Sequence, residues 1–158
     1  MYTIVPFERY YQSEIDELMN EIQKEFELPF RSPDPVPIFE YVLSGNLFWV
    51  ALLEEQVIGT IGLSCFDDKT GVIRNMFVAK EHRGGQPGVA KQLLDTALEA
   101  AKRLGYNAVY LGTMMQFKAA QKFYSKNNFV LIPRTDLPEG MTFNPVDDLF
   151  YVLKFENN

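Results

Sequence analysis

A mixed α/β domain is the fold class that the sequence predicts, with a largely antiparallel central sheet of about seven strands flanked by about four helices. Three observations carry that expectation. Short apolar stretches joined by tight turns fill the first half, one strongly amphipathic helix follows them, and strands then alternate with helices. A doubly wound parallel sheet would instead interleave helices with strands from the start. At 158 residues the chain fits one domain, residues 1–158. With 47% hydrophobic and 23% charged residues it can bury a sizeable core, much of it from thirteen Phe and eight Tyr.

Residues 2–6 predict a first strand ended by Pro6. From Ser13 the residues Ile15, Leu18, Met19, Ile22 and Phe26 recur at helical spacing, with Ser13 as the expected N-cap and Glu14, Asp16 and Glu17 in the first turn. Residues 29–37 hold four prolines in nine positions and predict a surface loop, followed by a short helix through Ile38, Tyr41, Val42 and Leu43. Phe48–Leu53, Val57–Phe66 and Gly71–Val78 predict three strands. The turns between them, Glu54–Gln56 and Asp67–Thr70, are short enough for hairpins. After a loop at 79–87, an apolar stripe of Ala90, Leu93, Leu94, Ala97, Leu98, Ala101 and Leu104 predicts the clearest helix, capped by Gly105. The rest reads as a strand at Ala108–Gly112, a helix at about 116–127, a strand at Phe129–Ile132, a Pro/Gly-containing loop at 133–147 and a last strand at Leu149–Phe155.

Fifteen basic against twenty-one acidic residues give a net charge of −6, and no basic run interrupts the acidic field. Such a field repels phosphate backbones, so no nucleic-acid partner is expected. Cys65 is the single cysteine, which excludes an intrachain disulfide and a cysteine zinc cluster; it reads as a buried inert thiol. The N-terminus has no signal-peptide pattern, and no apolar stretch reaches the roughly 18 residues of a membrane span. The expectation is a soluble, cytoplasmic protein with no membrane partner.

The segment His82-Arg83-Gly84-Gly85-Gln86-Pro87-Gly88-Val89-Ala90 joins a strand to the clearest helix. Glycines let backbone N–H groups approach a ligand, the helix N-terminus adds free donors, and Arg83 can add a bidentate contact, an arrangement suited to a pyrophosphate. A plain flexible connection would share this composition. Neither a P-loop nor the dinucleotide pattern GxGxxG is present.

The run Ile73-Arg74-Asn75-Met76-Phe77-Val78, then Arg83-Gly84, Gly88-Val89-Ala90 and Leu93-Leu94, resembles motif A of the GNAT superfamily of N-acetyltransferases. Tyr110-Leu111-Gly112-Thr113 and the segment from Ala120-Gln121-Lys122-Phe123-Tyr124 to Asn127-Asn128-Phe129 resemble its motif B. The resemblance covers roughly residues 47–132. It implies acetyl-CoA as cosubstrate, no metal, and direct attack of an amine on the thioester. Met76, Phe77 and Val78 would offer backbone to the pantetheine arm. Arg83, Gly84, Gly85, Gln86, Gly88, Val89 and Ala90 would hold the pyrophosphate. A backbone N–H near Phe77 or Val78 would stabilise the carbonyl oxygen, and Tyr124 would be the general acid. Packing against Phe123 would equally explain Tyr124.

Four departures from the pattern matter. The loop is two residues longer than usual, which leaves the contact of Arg83 open. Phe117 stands where asparagine is common, and Asn128 where glycine usually ends the helix. Arg74 and Asn75 replace a glutamate that often serves as base. Asp67 and Asp68 could act as base but fit a hairpin turn first, and a water relay or an acceptor arriving as free amine would also serve. Arg74 reads first as structurally paired, with an acidic group on the acceptor as the alternative. His82 reads as an exposed loop residue. The acceptor is expected to be a small-molecule or peptide amine, recognised by residues 27–40 and 133–147, where Phe30, Phe39 and Phe143 suggest a partly apolar pocket. A non-catalytic acyl-CoA-binding module is the alternative function, and a homodimer is compatible with either.

Overall fold

The structure is a computed structural model that describes residues 2–31, 35–85 and 88–156. Its strands are β1 (Tyr2–Pro6), β2 (Leu47–Leu53), β3 (Gln56–Cys65), β4 (Thr70–Val78), β5 (Ala108–Thr113), β6 (Val130–Ile132) and β7 (Leu149–Lys154). Its α-helices are α1 (Gln12–Gln23), α2 (Ile38–Leu43), α3 (Val89–Arg103) and α4 (Lys118–Lys126). One sheet runs in the order β1-β2-β3-β4-β5-β7-β6. Only β4 and β5 pair in parallel, and α3 is the crossover that a parallel pair requires. The expected mixed, largely antiparallel sheet is therefore what these residues form.

The sheet is covered on both faces, and the strand alternation shows how. In β2, Phe48, Val50 and Leu52 pack toward α1 and α2, while Trp49, Ala51 and Leu53 join the cluster under α3. Central β3 is buried from Val57 through Leu63, hence its near-continuous apolar sequence. Leu93, Leu94, Ala97 and Ala101 of α3 are fully buried against β3 and β4. Gly59 lets the helix sit close: a Cβ there would meet Leu93 Cδ1 at 3.0 Å.

Several local expectations change. Ser13 is not the cap of α1, because a 3-10 turn at Arg9–Tyr11 leads directly into the helix and puts Tyr11 at the capping position without a side-chain bond. The helix ends at Gln23, and Phe26 beyond it packs edge-on against Phe117 at 4.7 Å. Leu104 is 48% exposed, since α3 has already ended, while Gly105 takes the left-handed conformation expected of it. Asn128 does the same after α4, at φ 73°. Cys65 is only partly buried, beside Tyr106.

One irregularity positions the site. The β4–β5 ladder ends at Ile73↔Leu111, whereas β4 continues to Val78 paired with β3 alone. Between Thr60↔Phe77 and Gly62↔Arg74, β4 carries one residue more than β3, a β-bulge. Asn75 sits in it at φ 47°, a region asparagine tolerates better than most residues. The buried Thr60 hydroxyl donates to the Asn75 carbonyl at 2.6 Å and fixes the bulge. A bulge bends its strand, so β4 leaves β5 here and a wedge opens between them.

Candidate active site

The wedge opens into a cleft of about 1410 Å³. Peptide groups of a strand point alternately to its two sides. On the side facing β5, no described strand pairs with Arg74–Val78, so that edge of backbone lines the cleft. Met76, Phe77 and Val78 therefore stand where an extended ligand could add itself as a strand. The Phe77 ring packs on Phe30 and Phe117, with centroids 4.9 and 6.1 Å away. Phe117 thus belongs to an aromatic cluster rather than to a polar cofactor contact.

The loop before α3 divides into parts with different fates. Gly84 and Gly85 adopt φ 85° and 87°, conformations that favour glycine. Gly88 is extended at the N-cap of α3, and among the described residues no side chain caps that end. The first-turn N–H groups of this 15-residue helix are thus left for a ligand or water, at the positive end of its dipole. Val89 buries its side chain in the core, so only its backbone can serve, whereas Ala90 lines the cleft. Gln86 lies outside the described residues. Arg83 makes its bidentate contact within the protein, to Glu25 at 2.5 and 2.8 Å, and its Nε donates to the Val78 carbonyl at 2.9 Å. It ties the segment after α1 to the end of β4, with its fork already filled.

Tyr124 is buried, with Phe123, Phe129 and Tyr151 around its ring at 5.8–5.9 Å. Packing and placement in the cleft hold together: the residue lines the cavity while its ring is enclosed. Its hydroxyl has no hydrogen-bond partner among the described residues, and Tyr124 is one of the residues lining the cleft. Burial, then the charge of Asp147, raises its pKa and holds the proton on.

Asp147, which the sequence did not single out, stands on the same cleft. Burial pushes its carboxyl up to about 6, against the opposing pull of Arg74 and of the Asn144 amide. It reaches the site from the loop before β7 because β5 carries Gly112. A Cβ at that position would come within 2.8 Å of both Asp147 Oδ2 and Phe143 Cδ1. Opposite, Arg74 donates from Nε to Ser64 Oγ at 3.0 Å and from Nη2 to the Thr142 carbonyl at 2.8 Å. Ser64 in turn shares a 2.8 Å hydrogen bond with the Tyr41 hydroxyl, and the phenol is pushed up to about 12 by burial.

The other candidates fall away from the chemistry. Asp67 accepts from the Lys69 and Thr70 amides and the Thr70 hydroxyl at 2.7–2.8 Å, the geometry of a turn. His82 closes a short 3-10 turn and does not line the cleft. Among the described residues no group of three or more His, Cys, Asp or Glu gathers as a metal site, and no helix is long and apolar enough to cross a membrane.

The sequence model of the acetyltransferase (GNAT) family matches residues 15–129. An acetyltransferase of that family from Staphylococcus aureus Mu50 superposes with a TM-score of 0.89 at 33% identity, covering 99% of this chain and 100% of its own. N-acetylaspartate synthetase from Danio rerio is 37% identical over 118 residues, 72% of this chain and 41% of that protein. Human N-acetyltransferase 8B is 38% identical over 90 residues, 54% of this chain and 39% of that protein. The chain thus spans about two fifths of the length of these curated relatives.

Proposed function

The chain belongs to the acetyltransferase (GNAT) family, and from that premise we propose that it transfers an acetyl group from acetyl-CoA to an amine held between β4 and β5. The observation that carries the reading is the splay of the two strands at Ile73. It leaves a free backbone edge, Gly84 and Ala90 at the approach to α3, and the side chains of Tyr124 and Asp147 on one cleft.

Acetyl-CoA supplies the acyl group as a thioester. In this reading the backbone of Met76, Phe77 and Val78 pairs with the pantetheine arm. The amides of Gly84, Gly85 and Gly88 and the first turn of α3, including Val89 and Ala90, receive the pyrophosphate, with Gln86 expected beside them. Arg83 shapes the loop through Glu25 instead of gripping phosphate. Asp147, ionised above about pH 6, accepts the proton of the attacking amine. A backbone N–H near Phe77 or Val78 donates to the carbonyl oxygen as charge develops on it. Tyr124 keeps its proton until the thiolate leaves and then donates it.

The acceptor is a small-molecule or peptide amine, and the name of the N-acetylaspartate synthetase relative favours an amino acid. The reading includes a cytoplasmic location and no nucleic-acid or membrane partner. The reading also includes a homodimer, which size-exclusion chromatography would check. Mixing the protein with acetyl-CoA and an amine panel, while following free thiol, tests the transfer. Thiol release that depends on an acceptor is the expected result. Saturable CoA binding without release from any acceptor would leave a non-catalytic binding module. Millimolar CoA that leaves the melting temperature unchanged would sink both, since a ligand of the native state alone must raise it.

A further inference from the structure

Arg74 and Asp147 line the same cleft, one on β4 and one packed over β5 at Gly112. They feel each other's charge, yet neither takes part in an ion pair among the described residues. Both are held in place. Ser64, the Thr142 carbonyl and the Phe143 ring, 5.3 Å from the guanidinium carbon, restrain Arg74; the close fit over Gly112 restrains Asp147. The partners that Arg74 has are neutral, and its Nη1 has none among the described residues. A largely buried cation and a largely buried anion that attract each other without forming an ion pair keep hydrogen-bonding capacity that a ligand can complete.

We propose that the acceptor is an amine bearing a carboxylate close by, an amino acid, with its carboxylate on Arg74 and its amino group at Asp147. This rests on the acetyl-transfer reading and its amino-acid acceptor, to which it adds the residues that recognise each end of that acceptor. A zwitterion presents a negative charge to Arg74 and a positive one to Asp147. The free Nη1, with the remaining Nη2 hydrogen, can give the carboxylate two charge-assisted hydrogen bonds. Anchoring that end leaves the nitrogen beside the carboxylate that accepts its proton, on the side of Tyr124.

The test compares L-aspartate, L-methionine and L-phenylalanine with their fully amidated counterparts, which keep size and shape but lose the negative charge. The amide's amine is the less basic and more often unprotonated, so chemistry without recognition would favour the amides. The expected result is a kcat/KM at least about tenfold higher for one or more of the free acids. In Arg74→Gln the ratio of acid to amide kcat/KM, read within the one variant, should fall to about one, and Arg74→Lys should restore part of it. Amides that react as well as every acid would overturn the inference while leaving acetyl transfer intact. A preference that survives Arg74→Gln would also overturn it. If no acceptor releases thiol, calorimetric binding of the same probes to the CoA-saturated protein decides instead. Preferential binding of an acid over its amide would uphold the carboxylate site even as the transfer reading failed, and equal or absent binding would end it. The comparison on the unaltered protein stands even if a variant does not fold.

Discussion

The two walls of the cleft are built by different means. The wall proposed for the cofactor comes from one stretch of chain, whose described residues 76–85 and 88–90 offer backbone: a strand edge, two left-handed glycines and a helix N-terminus. The wall proposed for the acceptor is made of side chains from distant places: Arg74 with Ser64 and Tyr41, and Phe143 with Asp147 over Gly112. A backbone-built wall tolerates many side chains, because what binds is the peptide group. A side-chain-built wall depends on the identity and fixed position of each member, so single substitutions should separate the two.

The largest effect should come from the acceptor wall. Asp147→Asn should lower kcat about a thousandfold while acetyl-CoA affinity, followed by titration, stays near its original value. In the unaltered protein kcat should rise with pH through about 6, as Asp147 loses its proton, and the variant should lack that limb. The stability sign follows from the same shift. The folded protein holds this proton more tightly than the unfolded chain, so stability falls as pH rises from about 4 to about 6. That shift already includes the attraction of Arg74, so the variant escapes the loss and should melt higher at pH 8; an equal or lower melting temperature would refute this.

On the cofactor wall, Gly88→Glu should place bulk and negative charge at the helix end and remove CoA binding. The stabilisation of about 2.7 kcal/mol expected at a hundredfold excess over Kd should disappear from a thermal-shift titration. If binding persists, the α3 N-terminus is not the phosphate site. Tyr124→Phe should reduce turnover about tenfold to a hundredfold with little change in CoA affinity, since the ring keeps its packing and only the proton is lost. An unchanged rate would leave Tyr124 a packing residue. The smallest effect lies outside both walls. Glu54 and Glu55 form the β2–β3 turn at φ 50° and 69°, so replacing them by Asn-Gly should stabilise the fold by about 1 kcal/mol and leave activity alone.

The contrast between the walls also explains what could be read in advance. The fold was legible nearly throughout, because strand alternation, the α3 stripe and the Gly105 cap are local patterns. The glycine loop was legible for the same reason. What failed were ends and partners. The 3-10 turn at Arg9–Tyr11 displaced Ser13 from its cap, and Phe26 left its helical stripe to join Phe117. Arg83 had the right chemistry for phosphate but meets Glu25, a partner 58 positions away. Asn75 looked like a missing base, whereas its position requires a residue that accepts φ 47°.

By itself the sequence determined the mixed sheet, its helices and the glycine-rich approach to α3, because these follow from periodicity and backbone freedom over a few residues. Only the tertiary structure decided the rest: the bulge that parts β4 from β5, the occupation of Arg83, and Asp147 facing Arg74. Those depend on which distant groups share a low-dielectric space, where charge and burial act between residues that the chain order keeps apart.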